Sequence, residues 1–340
     1  MQDLHIHLGG AVPSSVLWET LCDNGLQTEF VDFDTFHESL TARPHEVRSL
    51  DDFLGRYFRV TEEIQSSPSA ASVSAYQVVA KAYRRARVTS LELRFNPFKR
   101  MRHGLHTMDA IILAVIQGLE RASLHYGVAT GIILSLGRDL PLEANWQIIE
   151  AAIKWRSRGP LNGASGVVGI DMAGPESGAL ELNPDWLNEI TTMMLRARAA
   201  GLKITYHIGE SPSSGPQGML RVLKNIGPDR IGHGIELRHA TGTTKQSLIQ
   251  LLRQNSVCLE LCPTVNVVTR VIPDISHIAQ FVRELAVSEI PFCINTDNPY
   301  LIHTNLRREH EIVGAELGNE AAPLLALGTE HAGRHHFLTD

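Results

Sequence analysis

Near its C-terminal end the chain reads P-F-C-I-N-T-D-N-P-Y-L, Pro291 to Leu301. An apolar run, Phe292 to Ile294, breaks into a polar cluster that ends Asp297-Asn298-Pro299. The run has the length and content of a buried strand, and Asp297 stands where that strand stops. A carboxylate there either opens a turn, for which Asp before Asn-Pro is well suited, or holds something. The same form recurs along the chain. L-H-I-H (4–7), V-T-S-L-E-L-R-F (88–95), A-T-G-I-I-L-S-L (129–136) and G-V-V-G-I-D-M-A-G (166–174) come first. L-K-I-T-Y-H-I-G-E (202–210), R-I-G-H-G-I-E-L (230–237) and S-V-C-L-E-L-C-P (256–263) follow, and 291–297 is the eighth. Most are rich in Val, Ile and Leu, as parallel strands covered on both faces are.

Segments of helical period lie between the runs. In W-L-N-E-I-T-T-M-M-L-R-A-R (186–198), Leu187, Ile190, Met194 and Leu195 share one face. Eight strand–helix units in 340 residues predict an α/β fold, a single (β/α)8 TIM-barrel domain over 1–340. A doubly wound open sheet would want a G-x-G-x-x-G turn after an early strand, and H-L-G-G-A-V (7–12) lacks that spacing. A helical insertion follows the first strand. Within it, S-L-D-D-F-L-G-R-Y (49–57) begins with Ser49 as a cap and Asp52 three residues on. Leu50, Phe53, Leu54 and Tyr57 then follow helical spacing. They form either a helix packed on the barrel rim or an apolar lid over its mouth.

Bulk composition narrows the function. Hydrophobic residues make up 43% and charged residues 20%, an ordinary globular balance. Net charge is −6, from 31 basic and 37 acidic residues, with no polybasic run, which argues against nucleic-acid binding. No apolar stretch is long enough to span a bilayer. Met1-Gln2 leads straight into D-L-H-I-H, with no charged and apolar leader pattern. Four scattered cysteines do not make a disulfide framework, so a reducing cytoplasm is the expected compartment. Cys258 and Cys262 sit in an apolar run and read as core residues rather than ligands.

The unusual polar residues all lie on the apolar runs, near their C-terminal ends. His5 and His7, two apart on the first strand, leave the same face. His207 ends the fifth run with Glu210 three residues on, His233 lies in the sixth, and Asp297 ends the eighth. In a barrel these ends converge at one mouth, where the chemistry of such enzymes is kept. Each residue alone reads as a hydrogen-bonded core histidine or a turn former. Together they would bury several ionisable groups without partners, at a cost of roughly several kcal/mol for each charged one. A divalent cation removes that cost. Three neutral imidazoles and one carboxylate suit a catalytic zinc with a water completing the site. His233 and Asp297 are then the available bases and Glu210 the available acid.

D-L-H-I-H-L-x-G, H-I-G-E, R-I-G-H-G-I-E and I-N-T-D-N-P resemble, in order, the four signatures of the adenosine deaminase family, and the likeness runs from about residue 3 to 301. L-E-L-C-P and G-I-D-M-A-G also look familial. The resemblance implies one zinc per chain, bound by His5, His7, His207 and Asp297. It implies that Glu210 donates a proton to purine N1, that His233 orients the attacking water and that Asp297 accepts its proton. Gly174 would offer its N–H to purine N3, and Leu50, Phe53, Leu54 and Tyr57 would form the family's apolar lid. The reaction would release ammonia from a 6-aminopurine nucleoside and leave the inosine-type product.

Two positions depart from the pattern. Adenosine-specific members carry an acid for the ribose 5′-hydroxyl where this chain has Gly9. They carry a second Asp for purine N7 where this chain has Asn298, whose amide donates at any pH. The expected substrate is therefore adenosine or a derivative of it. A 5′-modified adenosine such as aminodeoxyfutalosine or methylthioadenosine, or an adenine nucleotide, is the alternative. A binuclear amidohydrolase would want a Lys ending the fourth strand, where the chain reads D-M-A-G. A cytidine-deaminase site would need H-x-E and P-C-x-x-C, and both are missing. A barrel that binds a nucleoside without turning it over fits poorly with the retention of Glu210, His233 and all four ligands.

Overall fold

The computed structural model describes residues 1–24, 30–102, 104–157 and 166–338. Its strands are β1 Gln2–His7, β2 Ser90–Phe95, β3 Ala129–Gly137, β4 Val167–Ala173, β5 Lys203–Ile208, β6 Arg230–His233, β7 Cys258–Leu261 and β8 Phe292–Ile294. All eight runs read from the sequence are strands; β1 begins two residues earlier and β3 ends one residue later than read, and the other six are shorter than their runs. Every consecutive pair is parallel, in the spatial order β1 to β8.

Asp297 closes the circle. Its N–H donates to the His5 carbonyl and its own carbonyl accepts from the His7 N–H, both at 2.8 Å, in a parallel bridge next to Ile6. Polar side chains extend the β8–β1 seam below it. Asn295 Oδ1 accepts from the Leu4 N–H at 2.9 Å, and the Thr296 hydroxyl donates to Asp3 Oδ2 at 2.6 Å. The residue singled out in the sequence thus joins the ends of the barrel before any chemistry is considered.

Helices between the strands bury Val, Ile, Leu and Met against the outside of the sheet. The helix Pro184–Ala199 starts on an Asn183 cap, whose Oδ1 accepts from the Asp185 and Trp186 N–H groups. It buries Leu187, Ile190 and Met194 as expected, but Leu195 is 47% exposed and Met193 is buried in its place. The apolar stripe runs one position earlier at that turn than the spacing suggested. Inside the barrel, below the mouth, the core is ionic. Arg230 bridges Glu260 and Glu92, each at 2.5 Å, and Arg94 reaches Glu260 at 2.9 Å. All four side chains are fully buried, and charges so placed persist only when paired. The C-terminal segment plugs that end, with Phe337 under the Arg230 guanidinium at 3.5 Å.

The insertion between β1 and β2 carries a run of helices that cover the mouth. Ser49 caps the first turn of one of them, accepting from the Asp52 N–H at 3.2 Å. The Asp52 carboxylate reaches back to the Arg48 N–H rather than to that of Ser49, which makes the capping box an approximate one. This helix is not regular. Leu50–Phe53 is α-helical, Leu54–Phe58 is a π-helical turn, and Arg59–Ile64 is α-helical again. No helix among the described residues is long and apolar enough to cross a membrane.

Candidate active site

At the C-terminal mouth of the barrel the described residues line a cavity of about 1620 Å³. His7, His207, Glu210, His233, Asp297, Asn298 and Gly174 all reach it, as do Leu50, Phe53 and Leu54 from the covering helix. Tyr57 does not. It is buried against Phe53, ring to ring at 5.9 Å, and Phe58 faces the cavity in its place. The π turn adds a residue to the helical turn, so the face predicted from regular spacing is shifted by one. Gly9 is buried beside the cavity rather than lining it.

His5, at the floor, gathers the imidazoles. The coordinating atoms of His5, His7 and His207 lie within 4.8 Å of one another, as do those of His5, His233, Cys262 and Asp297. Asp297 Oδ1 is also 3.5 Å from His7 Nε2 and 3.9 Å from His5 Nε2, which brings the four ligands expected from the sequence to one centre. Cys262 was not expected there. Its thiol is pushed well up by burial, then by Asp297 and Glu260, so it is protonated and a weak ligand beside neutral imidazoles.

These residues fit a cation on three observations. Two buried atoms aimed at the centre, His5 Nε2 and His233 Nε2, have no hydrogen-bond partner. Burial holds His5, His7 and His233 well below the usual histidine range, so these rings are neutral and offer lone pairs. Two imidazoles are also oriented from behind by carboxylates. His5 Nδ1 meets Glu260 Oε2 at 2.7 Å and His207 Nδ1 meets Asp171 Oδ1 at 2.9 Å. Each places the ring proton on Nδ1 and leaves Nε2 to ligate. Arg94 pairs with both carboxylates, Glu260 at 2.9 Å and Asp171 at 3.5 Å.

Sequence reasoning gave no role to Asp171, Glu260 and Arg94. The signal was present as a charge in the middle of an apolar run, in G-I-D-M-A-G, L-E-L-C-P and L-E-L-R-F. A strand buried on both faces does not carry an ion without a specific partner.

The acid–base groups stand across the mouth. Glu210 Oε2 is 3.5 Å from His233 Nε2, and Asp297 Oδ2 is 3.8 Å from the same nitrogen. Burial, then the charges of Asp297 and Glu176, push the Glu210 carboxyl well above the carboxylate range, so it carries a proton to give. Burial likewise raises Asp297, to about 7, against the opposing pull of His207 and Arg94. Glu176 holds the turn that presents Glu210, accepting from the Glu210 N–H at 3.3 Å and the Ser211 N–H at 2.9 Å. Arg138 ties the neighbouring strand ends together. It donates to the carbonyls of Gly174 and His207 and pairs with Glu181 at 2.7 Å. His233 and Asp297 both have positive φ, 64° and 62°, a costly conformation for these residues that places their side chains over the mouth. Asn266 Nδ2 is 3.1 Å from His233 Nδ1, and Asn298 Nδ2 donates to Asp297 Oδ1. The Asn298 Oδ1 atom has no partner.

A (β/α)8 barrel whose mouth gathers neutral imidazoles, carboxylates and a protonated acid is the frame of a metal-dependent hydrolase. A family model for adenosine deaminase matches residues 1–333. The adenosine deaminase of Vibrio vulnificus is 28% identical over 307 residues, 90% of this chain and 85% of that protein. Among solved structures, the adenine deaminase of Arthrobacter aurescens superposes with a TM-score of 0.83 at 20% identity, over 100% of this chain and 94% of that one. The Arabidopsis N6-mAMP deaminase gives a TM-score of 0.78 at 25% identity, over 100% and 93%. The chain belongs to the adenosine deaminase family, a metal-dependent family, and is a hydrolytic deaminase.

Proposed function

We propose that the protein removes the 6-amino group of an adenosine-type nucleoside by hydrolysis, with one zinc ion per chain held by His5, His7, His207 and Asp297. The zinc, when bound, supplies a Lewis acid that activates water. The protein's own groups divide the proton transfers. Glu210, kept protonated by burial, donates to purine N1 and so makes C6 electrophilic. His233, 3.5 Å from Glu210 and 3.8 Å from Asp297, orients the water on the opposite side, and Asp297 takes its proton. Gly174, with φ of 93°, lets the backbone approach the ring closely enough to offer its N–H to N3. Asn298, whose Nδ2 donates to Asp297 Oδ1, has a second amide N–H to offer purine N7. The apolar lid residues Leu50, Phe53 and Leu54 shield the site from bulk water. Ammonia leaves C6, and the product is the inosine-type compound.

The observation that carries this reading is the protonated, buried Glu210 set beside His233 and Asp297 over the imidazoles of His5, His7 and His207. An adenine nucleotide is the second substrate reading, favoured by the likeness to the Arabidopsis N6-mAMP deaminase. The test is to load purified protein with zinc and follow ammonia from adenosine, 5′-methylthioadenosine, AMP and N6-methyl-AMP. In the last case methylamine replaces ammonia and is followed as such. Release of amine with formation of the 6-oxo product supports the proposal. Loss of the glycosidic bond, or no amine from any of them, refutes it.

A further inference from the structure

The exchange of Tyr57 for Phe58 at the cavity wall bears on what the site accepts. Phe58 ends the π turn, and its ring stands edge-on to His7 at 5.7 Å. It occupies the space over Gly9. A Cβ on Gly9 would meet two carbons of that ring at 2.7 Å and 2.8 Å, and Thr61 Oγ1 at 3.3 Å. The ring's position therefore leaves no room for a side chain at position 9 unless the ring shifts. The volume next to the first strand's ligand is not empty, and the Thr61 hydroxyl stands at its margin. The volume is filled by an aromatic edge.

Three polar side chains near the ring are engaged, but Gln65, whose Nε2 donates to the Gly9 carbonyl at 3.3 Å, has a buried Oε1 with no partner. The Thr61 hydroxyl donates to the Phe58 carbonyl at 2.7 Å, Glu62 is paired with Arg100 at 3.0 Å, and Lys99 is paired with Asp139 at 2.7 Å. Arg102, farther along the cavity, has one guanidinium nitrogen without a partner.

The direction of the substrate follows from purine geometry and rests on the function proposed above. With N1 at Glu210, after β5, N7 at Asn298, after β8, and N3 at Gly174, after β4, the five-membered ring points away from Glu210 and its N9 substituent leaves between Asn298 and Gly174. Asn298 abuts the first strand's loop so closely that a Cβ on Gly10 would fall 2.0 Å from its Oδ1. The first strand's loop, with Gly9, Gly10 and Phe58, thus flanks the Asn298 side of the sugar's exit.

We propose that Phe58, seated in the volume that Gly9 leaves open, is a specificity-determining residue that gives the sugar's 5′ end an apolar partner. The substrate class is then a 6-aminopurine nucleoside with an uncharged apolar 5′ substituent, such as a thioether. A free 5′-hydroxyl placed against the ring loses its hydrogen bonds to water, and a phosphate loses far more solvation. A thioether gains a sulfur–aromatic contact and buries its methyl group.

The experiment measures kcat/KM of the zinc-loaded enzyme for 5′-methylthioadenosine, adenosine and AMP, in wild type, Phe58→Ala and Phe58→Leu. Binding of 5′-methylthioinosine and inosine by calorimetry gives a readout independent of turnover. The expected wild-type order is thioether over adenosine by about tenfold or more, the scale at which apolar pockets discriminate, with AMP last. Phe58→Ala is expected to erase the thioether preference through KM, and Phe58→Leu to retain most of it. Adenosine or AMP equal to or better than the thioether in the wild type overturns the proposal. So does a Phe58→Ala variant in which all three substrates fall by one common factor. Turnover without thioether preference sinks the subsite alone, whereas no turnover of any of the three or of N6-methyl-AMP sinks the deaminase reading with it.

Discussion

Asp171 touches no substrate, yet the geometry makes it a determinant of metal affinity. It is fully buried, accepts from His207 Nδ1 at 2.9 Å and from Ser135 Oγ at 3.3 Å, and lies 3.5 Å from Arg94 Nη1. Asp171→Asn preserves shape and one acceptor oxygen, so the His207 ring has no steric reason to move. It removes the negative charge that makes His207 Nε2 a stronger base, and it permits a flipped amide that would reverse the tautomer. Arg94 keeps Glu260 as a counter-ion at 2.9 Å, which limits the damage to folding. Losing such an outer partner weakens metal binding by about 10–100-fold, or about 1.4–2.8 kcal/mol. Zinc competition against a chromophoric chelator measures this directly, with thermal unfolding of the metal-free proteins as the control. Equal affinity in wild type and Asp171→Asn would refute the assignment of Asp171 as the group that orients His207. Weaker binding accompanied by an equal loss of metal-free stability would also refute it, since the effect would then be structural.

Other outcomes follow from close packing. Gly10→Ala is expected to displace Asn298, because the new Cβ would fall 2.0 Å from its Oδ1, and to lower kcat/KM while zinc content, read by mass spectrometry, stays at one per chain. Gly118→Ala would set a methyl group 2.3 Å from the Ser72 carbonyl, forcing the helices Pro68–Ala86 and Met108–Tyr126 apart. The expected loss is about 1–3 kcal/mol in denaturant unfolding, with activity per folded molecule unchanged. Ile204→Ala, at a fully buried position of β5, is expected to cost about 2–5 kcal/mol by the same assay.

The barrel was readable because its strands are covered on both faces and so appear as apolar runs, and because a polar residue at such a run's end is conspicuous. His5, His7, His207, His233 and Asp297 stood out on those grounds alone. Glu210 needed only its place after β5. The groups behind them did not stand out in the same way. His5 and Glu260 are 255 positions apart and Arg94 and Glu260 are 166 apart, so their pairing exists only once the barrel closes. An acid inside an apolar run announces that it has a partner but not which one. Of the four lid residues only Tyr57 was misplaced, and for a different reason. Helical spacing assumes a regular turn, and the π turn at Leu54–Phe58 moved the cavity face from Tyr57 to Phe58. Gly9, legible as a missing acid, gave no hint that an aromatic ring would fill its place.

The central claim is that Glu210 is the proton donor over a metal centre it does not help to hold. Glu210→Gln tests it most directly, because the amide keeps the side chain's size and removes only its acid function. Zinc content and ammonia release from the preferred adenosine derivative are measured on the same preparation. The account predicts one zinc per chain, as in wild type, and a fall in deamination of at least about 10²-fold, the lower end of what a general acid contributes. Wild-type ammonia release from the zinc-loaded variant would contradict it.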